Sequence, residues 1–186
     1  MKINKLLLSL ASIGVLTLTS CKSNPLSSFS KKINSSLKNV DQVIMTTTIT
    51  DDDIEVYKLV KTINLNYDGK NVSGIIDISE YTLSTNFTYI NSTSSDMFEG
   101  QTKDIKFGLN LDKKYLSEFK IEDDVLTASV NKDSAKMFFG VDKVDCSINP
   151  DVKIVLADKK ISTYDCTYTT NGDKDVAINI LYLYNN

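Results

Sequence analysis

The chain has 186 residues, enough for one domain of ordinary size with its own core. Hydrophobic residues make up 41% and charged residues 24%, as in most globular proteins, and the formal net charge is −3. Histidine and arginine are absent, so the chain lacks the most common general base and metal ligand and the side chain that best grips phosphate. We therefore expect no enzymatic activity, no cofactor or metal, and no nucleic-acid partner.

The first 20 residues have the features of a bacterial export signal. Lys2 and Lys5 give a positive start, and a largely apolar stretch follows from Leu6 to Leu18. A membrane span needs roughly 20 apolar residues, so this stretch is too short to be a permanent helix in the bilayer. We expect residues 1–20 to be a signal peptide that is removed from the mature chain. Its removal leaves 19 lysines against 24 acidic residues, a net charge of −5.

The signal ends on Leu18, Thr19, Ser20 and Cys21, which resemble the bacterial lipobox: an aliphatic residue, two small residues and the invariant cysteine. The resemblance implies that Cys21 receives a diacylglyceryl thioether and that signal peptidase II cuts before it. Two acyl chains anchor a protein stably where one would not. We expect an exported lipoprotein on the outer face of the cytoplasmic membrane, or on the outer membrane of a Gram-negative cell. Residues 21–27 are then its polar tether.

An amphipathic helix is expected directly after the tether. Phe29, Ile33, Leu37 and Val40 recur at spacings of four and three residues, which predicts a helix over about 28–39. Ser27 or Ser28 is the expected N-cap. The apolar stripe fits a helix packed on a sheet, and it fits equally a lid over a ligand cavity.

From residue 42 the apolar period changes to two, which predicts β-strands. The second of these strands alternates from Tyr57 to Tyr67, interrupted only at Val60 and Lys61, and Asp68-Gly69 after it predicts a hairpin turn. The elements expected up to residue 118 are strands 43–50 and 57–67, a long bulged strand 72–90, a polar loop 91–103, an alternating stretch 105–111 and a helical turn 112–118. Those expected after it are strand 125–130, a short helix 133–140, strands 152–157 and 161–169, a turn 171–173 and strand 176–184.

These elements predict one β-rich α+β domain over residues 28–186. Strands joined by short turns run antiparallel, and the chain contains neither an internal repeat nor a second linker. We expect a single strongly curved antiparallel sheet, an incomplete barrel, with one or two short helices packed on its concave face.

The order of these elements resembles the LolA/LolB and LppX group of lipoprotein carriers. The resemblance lies in "SFSKKINSSLKNVDQVIMTTTIT", where a short helix runs into a long strand, and in the small helix at "DSAKMFFG" before the last hairpins. It covers residues 28–186 as element order only, and the arginine of the LolA lid has no counterpart here. The resemblance implies an incomplete barrel capped by helices over an apolar cavity that binds an acyl chain or another lipid.

The aromatic and aliphatic positions of the strands fit two functions. They can form an ordinary filled core, or they can line a cavity for an apolar ligand between sheet and helix. The candidate lining residues are Phe29, Ile33, Leu37, Tyr57, Leu59, Ile63, Leu65, Phe107 and Leu109. The first hypothesis is a membrane-anchored lipoprotein with a non-catalytic, ligand-binding domain. The alternative is a surface adhesion or structural lipoprotein without a cavity.

Cys146 and Cys166 are the other two cysteines, and an even pair in an exported chain is a candidate disulfide. A hairpin centred on residues 158–159 would place Cys166 opposite position 151 or 152. Cys146 would reach it if the segment around Pro150 folds back. The competing interpretation is that Cys166 is a small core residue beside Tyr164 and Tyr168.

Overall fold

The computed structural model describes residues 25–101, 111–141 and 144–184. Two helices and nine strands have the following bounds: α1 Pro25–Ser36, β1 Gln42–Asp51, β2 Ile54–Asp68, β3 Asn71–Leu83, β4 Tyr89–Gln101, β5 Leu116–Glu122, β6 Val125–Val130, α2 Ala135–Phe139, β7 Asp151–Ala157, β8 Lys160–Thr169 and β9 Asp175–Leu183. Short 3₁₀ turns lie at Leu37–Asn39, Lys113–Tyr115 and Lys132–Ser134.

All nine strands form one antiparallel sheet in the order β4-β3-β2-β1-β9-β8-β7-β6-β5. The first and last strands pair, with Val43 opposite Tyr182, so two meanders join at the centre of the sheet. The sheet is not closed: among the strands that the structure describes, β4 and β5 are its two edges. The predicted fold class, a single antiparallel sheet with short helices, is therefore confirmed.

The turns between neighbouring strands explain much of this meander. Asp158 and Lys159 both have positive φ angles, of 51° and 63°, as a two-residue hairpin turn with the sheet's own twist requires. This turn sets Cys166 opposite Val152, as the sequence predicted. Gly69, with φ of 60°, supplies the corresponding left-handed residue between β2 and β3.

The predicted long strand 72–90 is wrong, and so is the polar loop 91–103. A turn at residues 84–88 divides this region into two strands, and the Ser84 hydroxyl donates to the Thr88 carbonyl oxygen at 2.7 Å across it. The polar residues up to Gln101 then form β4, which pairs with all thirteen residues of β3. Both faces of β4 are exposed apart from the half-buried Phe98, so no apolar alternation marks it as a strand.

Two further boundaries differ from the prediction. Helix α1 begins at Pro25, so residues 25–27 of the predicted tether are helical and neither Ser27 nor Ser28 is the N-cap. Proline is well suited to the first turn of a helix because it has no amide hydrogen to leave unpaired there. Strand β5 was not predicted, although the 3₁₀ turn before it lies within the expected helical turn 112–118.

The core lies between α1 and the concave face of the sheet. Leu26, Phe29 and Ile33 on one side of α1 are at most 3% exposed. They belong to the same buried cluster as Leu126, Ile154, Ile161 and Tyr164 of β6, β7 and β8. The N–H of Ile161 donates to the Ser36 hydroxyl at 3.1 Å, and the Lys32 ammonium lies 3.0 Å from the Asp124 carboxylate. Helix α1 is thus held over β8 and the β5–β6 turn.

Candidate functional site

The concave face of the sheet is not covered evenly. Under α1, the inward side chains of β6 to β9 are almost all buried, including Ala128, Val152 and Ile180. On β3 the inward Ile76, Ile78 and Glu80 are only half-buried, and on β4 the inward side chains from Ile90 to Asp96 are exposed. The concave face therefore becomes steadily more accessible from β1 towards the β4 edge.

We define the β2–β3 concave patch as the inward side chains of β2 and β3 beyond the reach of α1. Its members are Tyr57, Leu59, Lys61, Ile63, Ile76, Ile78 and Glu80. Strand register brings them together, because Leu59 lies opposite Glu80, Lys61 opposite Ile78 and Ile63 opposite Ile76. Directly opposite residues in an antiparallel pair project from the same face with their Cβ atoms about 5 Å apart. The patch thus combines an aliphatic centre with polar groups.

Two polar features distinguish this patch from an ordinary core. The Tyr57 hydroxyl donates to the Glu80 carboxylate, and burial, together with the Glu80 charge, raises the pKa of Tyr57 to about 12. Lys61 is only 5% exposed, and burial lowers the pKa of its ammonium. Lys61 lies opposite the apolar Met45 on β1 and Ile78 on β3.

The sequence did not identify Lys61 or Glu80. Lys61 interrupts the apolar alternation of β2 in the sequence, but the register runs through it without a shift. Its side chain points inward like those of Leu59 and Leu65, which are buried on either side. The sequence did contain a signal. Lys61 occupies an odd-numbered position, and the odd-numbered residues of β2 from Tyr57 to Tyr67 face inward.

The predicted cavity-lining residues are divided between the core and the patch. Phe29, Ile33 and Leu65 belong to the buried cluster, and Leu37 and Ile63 pack against it. Tyr57, Leu59 and Ile63 lie on the patch. Their lining role remains a prediction. Phe107 and Leu109 lie outside the described residues, as do Cys21 and the lipobox residues Leu18, Thr19 and Ser20.

Cys146 and Cys166 are free thiols in this structure, so the predicted bridge is not formed here. Cys166 is buried on the inner face of β8, and burial raises the pKa of its thiol to about 12. Cys146 is half-buried after α2, where the N–H of Ser147 donates to the Thr169 carbonyl oxygen at 2.8 Å. This hydrogen bond places Cys146 beside the end of β8, close enough for its charge to affect the pKa of Cys166. Formation of the bridge under oxidising conditions stays a prediction.

A groove of about 470 Å³ lies on the opposite, convex face of the sheet, over β5 to β8. Its charged lining consists of Glu118, Lys120, Asp151, Lys153 and Asp165. Lysine and carboxylate side chains alternate there, with Lys153 directly opposite Asp165. The groove is open and carries charged side chains, unlike the apolar space between helix and sheet that the sequence predicted.

Over residues 25–101, 111–141 and 144–184, histidine, cysteine and acidic side chains form no cluster able to hold a metal ion. None of the helices described here is long and apolar enough to cross a membrane.

No family model matches this chain, and no curated protein matches it. Among solved structures, one similar chain is a redesigned β-barrel, mFAP1, bound to DFHBI. It is 11% identical with a TM-score of 0.25, over 80% of this chain and 97% of the other. Another is the redesigned β-barrel b11L5F_LGL, 8% identical with a TM-score of 0.22, over 80% and 95% of the two chains. These scores are too low for the likeness to support any conclusion about fold or function.

Proposed function

We propose that this protein is an exported lipoprotein anchored through Cys21, with a non-catalytic domain that binds a ligand carrying an apolar chain. The leader and lipobox support the anchor. Helix α1 begins at Pro25, so only residues 22–24 separate the acylated cysteine from the folded domain. Four Cα–Cα steps lead from Cys21 to Pro25 and span at most about 14 Å, so the anchor would hold the domain close to the membrane surface.

One observation carries the ligand proposal: the β2–β3 concave patch has an aliphatic centre, and its side chains other than Leu59 and Lys61 are only half-buried. Ile63, Ile76 and Ile78 present contiguous aliphatic surface that α1 leaves accessible. An acyl chain placed there would remove this surface from water, at about 25 cal/mol for each Å² buried. The domain beside a membrane would have acyl chains within reach.

The polar members of the patch suggest how such a ligand would be oriented. Lys61 supplies a positive charge in a place of low dielectric, where it attracts an anion more strongly than a surface lysine would. The Tyr57–Glu80 pair lies on the same face, two residues along β2 from Leu59. We therefore propose a ligand whose anionic head lies at Lys61 and whose chain covers Ile76 and Ile78.

The alternative function is a surface adhesion or structural lipoprotein. The observation in its favour is the filled space under α1, where Phe29 and Ile33 occupy the position that a ligand chain would take beneath a lid. The two functions differ in whether the β2–β3 concave patch takes up a ligand.

Metabolic labelling with an alkynyl palmitate analogue tests the anchor. We expect the wild-type chain to be labelled and Cys21→Ser to lose the label. Cys146→Ser is the matched control and should be labelled like the wild type, because its thiol lies within the folded domain. Undiminished labelling of Cys21→Ser would overturn the anchor.

Native mass spectrometry of the chain beginning at Lys22, made in a lipid-rich host, tests the ligand. We expect a co-purified lipid that Ile78→Glu removes, since the new charge lies within the apolar patch. Ile75→Glu is the matched control: it is three residues away on the same strand but faces outward, so the lipid should remain. A clean, ligand-free mass for the wild type would count against ligand binding and favour the structural alternative.

Lys61→Met tests the anionic head, because methionine keeps the length of the side chain and removes its charge. We expect at least a tenfold loss of preference for a fatty acid over the fatty alcohol of the same length. Lys58→Met, on the outward face of β2, should leave this preference unchanged.

A further inference from the structure

The two edges of the open sheet are built differently. Strand β4 has thirteen residues in unbroken register with β3, and it contains neither lysine nor proline. Strand β5 has seven residues, a bulge between Leu116 and Glu118, and Lys120 between two glutamates. Short length, bulges and lysines are among the devices by which proteins keep an edge strand from pairing with another chain. The β5 edge has all three, and the β4 edge has none of them.

The β4 edge also presents apolar side chains on both of its faces. Met97 is 81% exposed, Ile90 62% and Tyr89 51%. Met97 lies directly opposite Ile75, which is exposed as well, so the apolar surface continues onto β3. In the described part of the chain, β4 pairs with β3 alone, which leaves one row of backbone N–H and C=O groups without a strand partner.

We propose that the β4 edge pairs with the β4 edge of a second copy of this chain, antiparallel and about a two-fold axis. Pairing would satisfy the unpaired backbone groups of both edges and join the two sheets into one. The β4 edge is not part of the β2–β3 concave patch. The proposal is therefore independent of whether that patch binds a ligand.

Charge placement favours a second copy as the partner. With the axis at Ser95, the middle of β4, Asp96 lies opposite Ser94 of the other copy and Glu99 lies opposite Asn91. With the axis at Ser94, the two acids lie opposite Ser92 and Tyr89. In both registers every acidic side chain of β4 meets a neutral one, so the like-charge repulsion that opposes self-pairing is avoided. The second register also places Phe98 opposite Ile90 on the concave face.

Disulfide cross-linking of the full chain in its own membranes tests the pairing. Residues near a two-fold axis meet their own counterparts, so Ser94→Cys or Ser95→Cys should give a linked dimer under mild oxidation. Tyr89→Cys, at the end of the strand, should give at least tenfold less, and so should the matched control Ser117→Cys on the β5 edge. The unmodified chain gives the background from Cys146 and Cys166, because the acylated Cys21 has no free thiol.

A second measurement needs no added cysteine. Two copies of the full chain with different tags are expressed together, extracted in mild detergent and captured by one tag. We expect co-capture that the double variant S94D/S95D reduces at least tenfold, since it places acids opposite acids in both registers. Ser117→Asp on the β5 edge should not reduce it. Equal cross-linking at Ser95 and Ser117, or co-capture that survives S94D/S95D, would overturn the proposal.

Discussion

Both halves of this sheet are built by antiparallel pairing, but they differ in how far their inward side chains are buried. In the packed half, β6 to β9 face α1, and the inward side chains are almost completely buried. In the open half, β2 to β4, the inward side chains become progressively more exposed and include Lys61, Glu80 and Asp96. Burial in the packed half holds the fold together, and the open half is where we propose that a ligand and a second copy bind.

The largest difference in the free energy of unfolding is expected between substitutions of one isoleucine in each half. Ile154→Ala, in the packed half, should lower the free energy of unfolding by about 4 kcal/mol, because it leaves a cavity in a fully buried cluster. Ile78→Ala should cost only about 1 kcal/mol, since its side chain is half-exposed already. Urea denaturation of the chain beginning at Lys22 measures both. Equal losses would remove the distinction between the halves.

The Cys146–Cys166 bridge, if it forms, would strengthen the packed half further. Closing a loop of this length stabilises a chain by about 3 kcal/mol in the entropic model. We expect oxidation to add that amount to the free energy of unfolding of the wild type and nothing to that of Cys146→Ser. Mass spectrometry after thiol alkylation, with and without prior reduction, reports whether the bridge is present. Full alkylation of an oxidised, unfolded sample would show that it is not.

Alkaline pH should lower the free energy of unfolding, because buried thiol and phenol groups of the packed half lose their protons less readily in the folded chain than in the unfolded chain. Burial raises the pKa of Cys166 to about 12 from an ordinary value of 9.0, so the unfolded chain loses this proton first as the pH rises. Stability contributed by the protonated thiol is complete below pH 9 and is lost on the way to pH 12. In the reduced protein we expect Cys166 alone to remove about 3 kcal/mol by pH 11.

Burial acts in the same direction on Tyr168, whose pKa is raised to about 12. The check is the slope of the unfolding free energy between pH 9 and pH 11. The slope should be shallower in Cys166→Ala than in the wild type. Equal slopes would contradict the attribution of this pH dependence to the Cys166 thiol.

Substitution of Tyr164 should change stability by a smaller amount and should increase it. Its hydroxyl is buried with no nitrogen or oxygen partner in the described structure, and the Cys166 thiol beside it is a weak hydrogen-bonding group. Tyr164→Phe removes the hydroxyl and keeps the ring. We expect the melting temperature to rise, by an amount equivalent to about 1 kcal/mol. Tyr89→Phe, whose exposed hydroxyl donates to the Glu55 carbonyl oxygen, is the control that should not gain stability.

The smallest expected change in stability comes from breaking the surface ion pair between α1 and the β5–β6 turn. Lys32 and Asp124 lie 3.0 Å apart, but both side chains are more than 40% exposed. Lys32→Ala should cost only about 0.5 kcal/mol, and less in 1 M salt. Lys31→Ala, the exposed neighbour, should cost less still. A loss of 2 kcal/mol or more would mean that α1 depends on this contact rather than on Leu26, Phe29 and Ile33.

Local patterns in the sequence determined the meander and its helices. The turn residues Asp68-Gly69, Asp158-Lys159 and Asn171-Gly172 mark three of the hairpins, and the apolar spacing of Phe29 and Ile33 identifies the buried side of α1. These signals suffice because a turn or an amphipathic face depends on residues that are close in the chain. They also identified the open antiparallel sheet, since short turns admit only antiparallel neighbours.

Tertiary structure decided what the two halves became. Strand β4 carries no regular apolar alternation on either face, so only its thirteen pairs with β3 make it a strand. Lys61 points inward because the register of β2 runs through it, whatever its charge. The pairing of β1 with β9, and hence the position of the two edges, joins residues more than a hundred positions apart. Contacts of that range depend on packing across the whole domain, which no local pattern encodes.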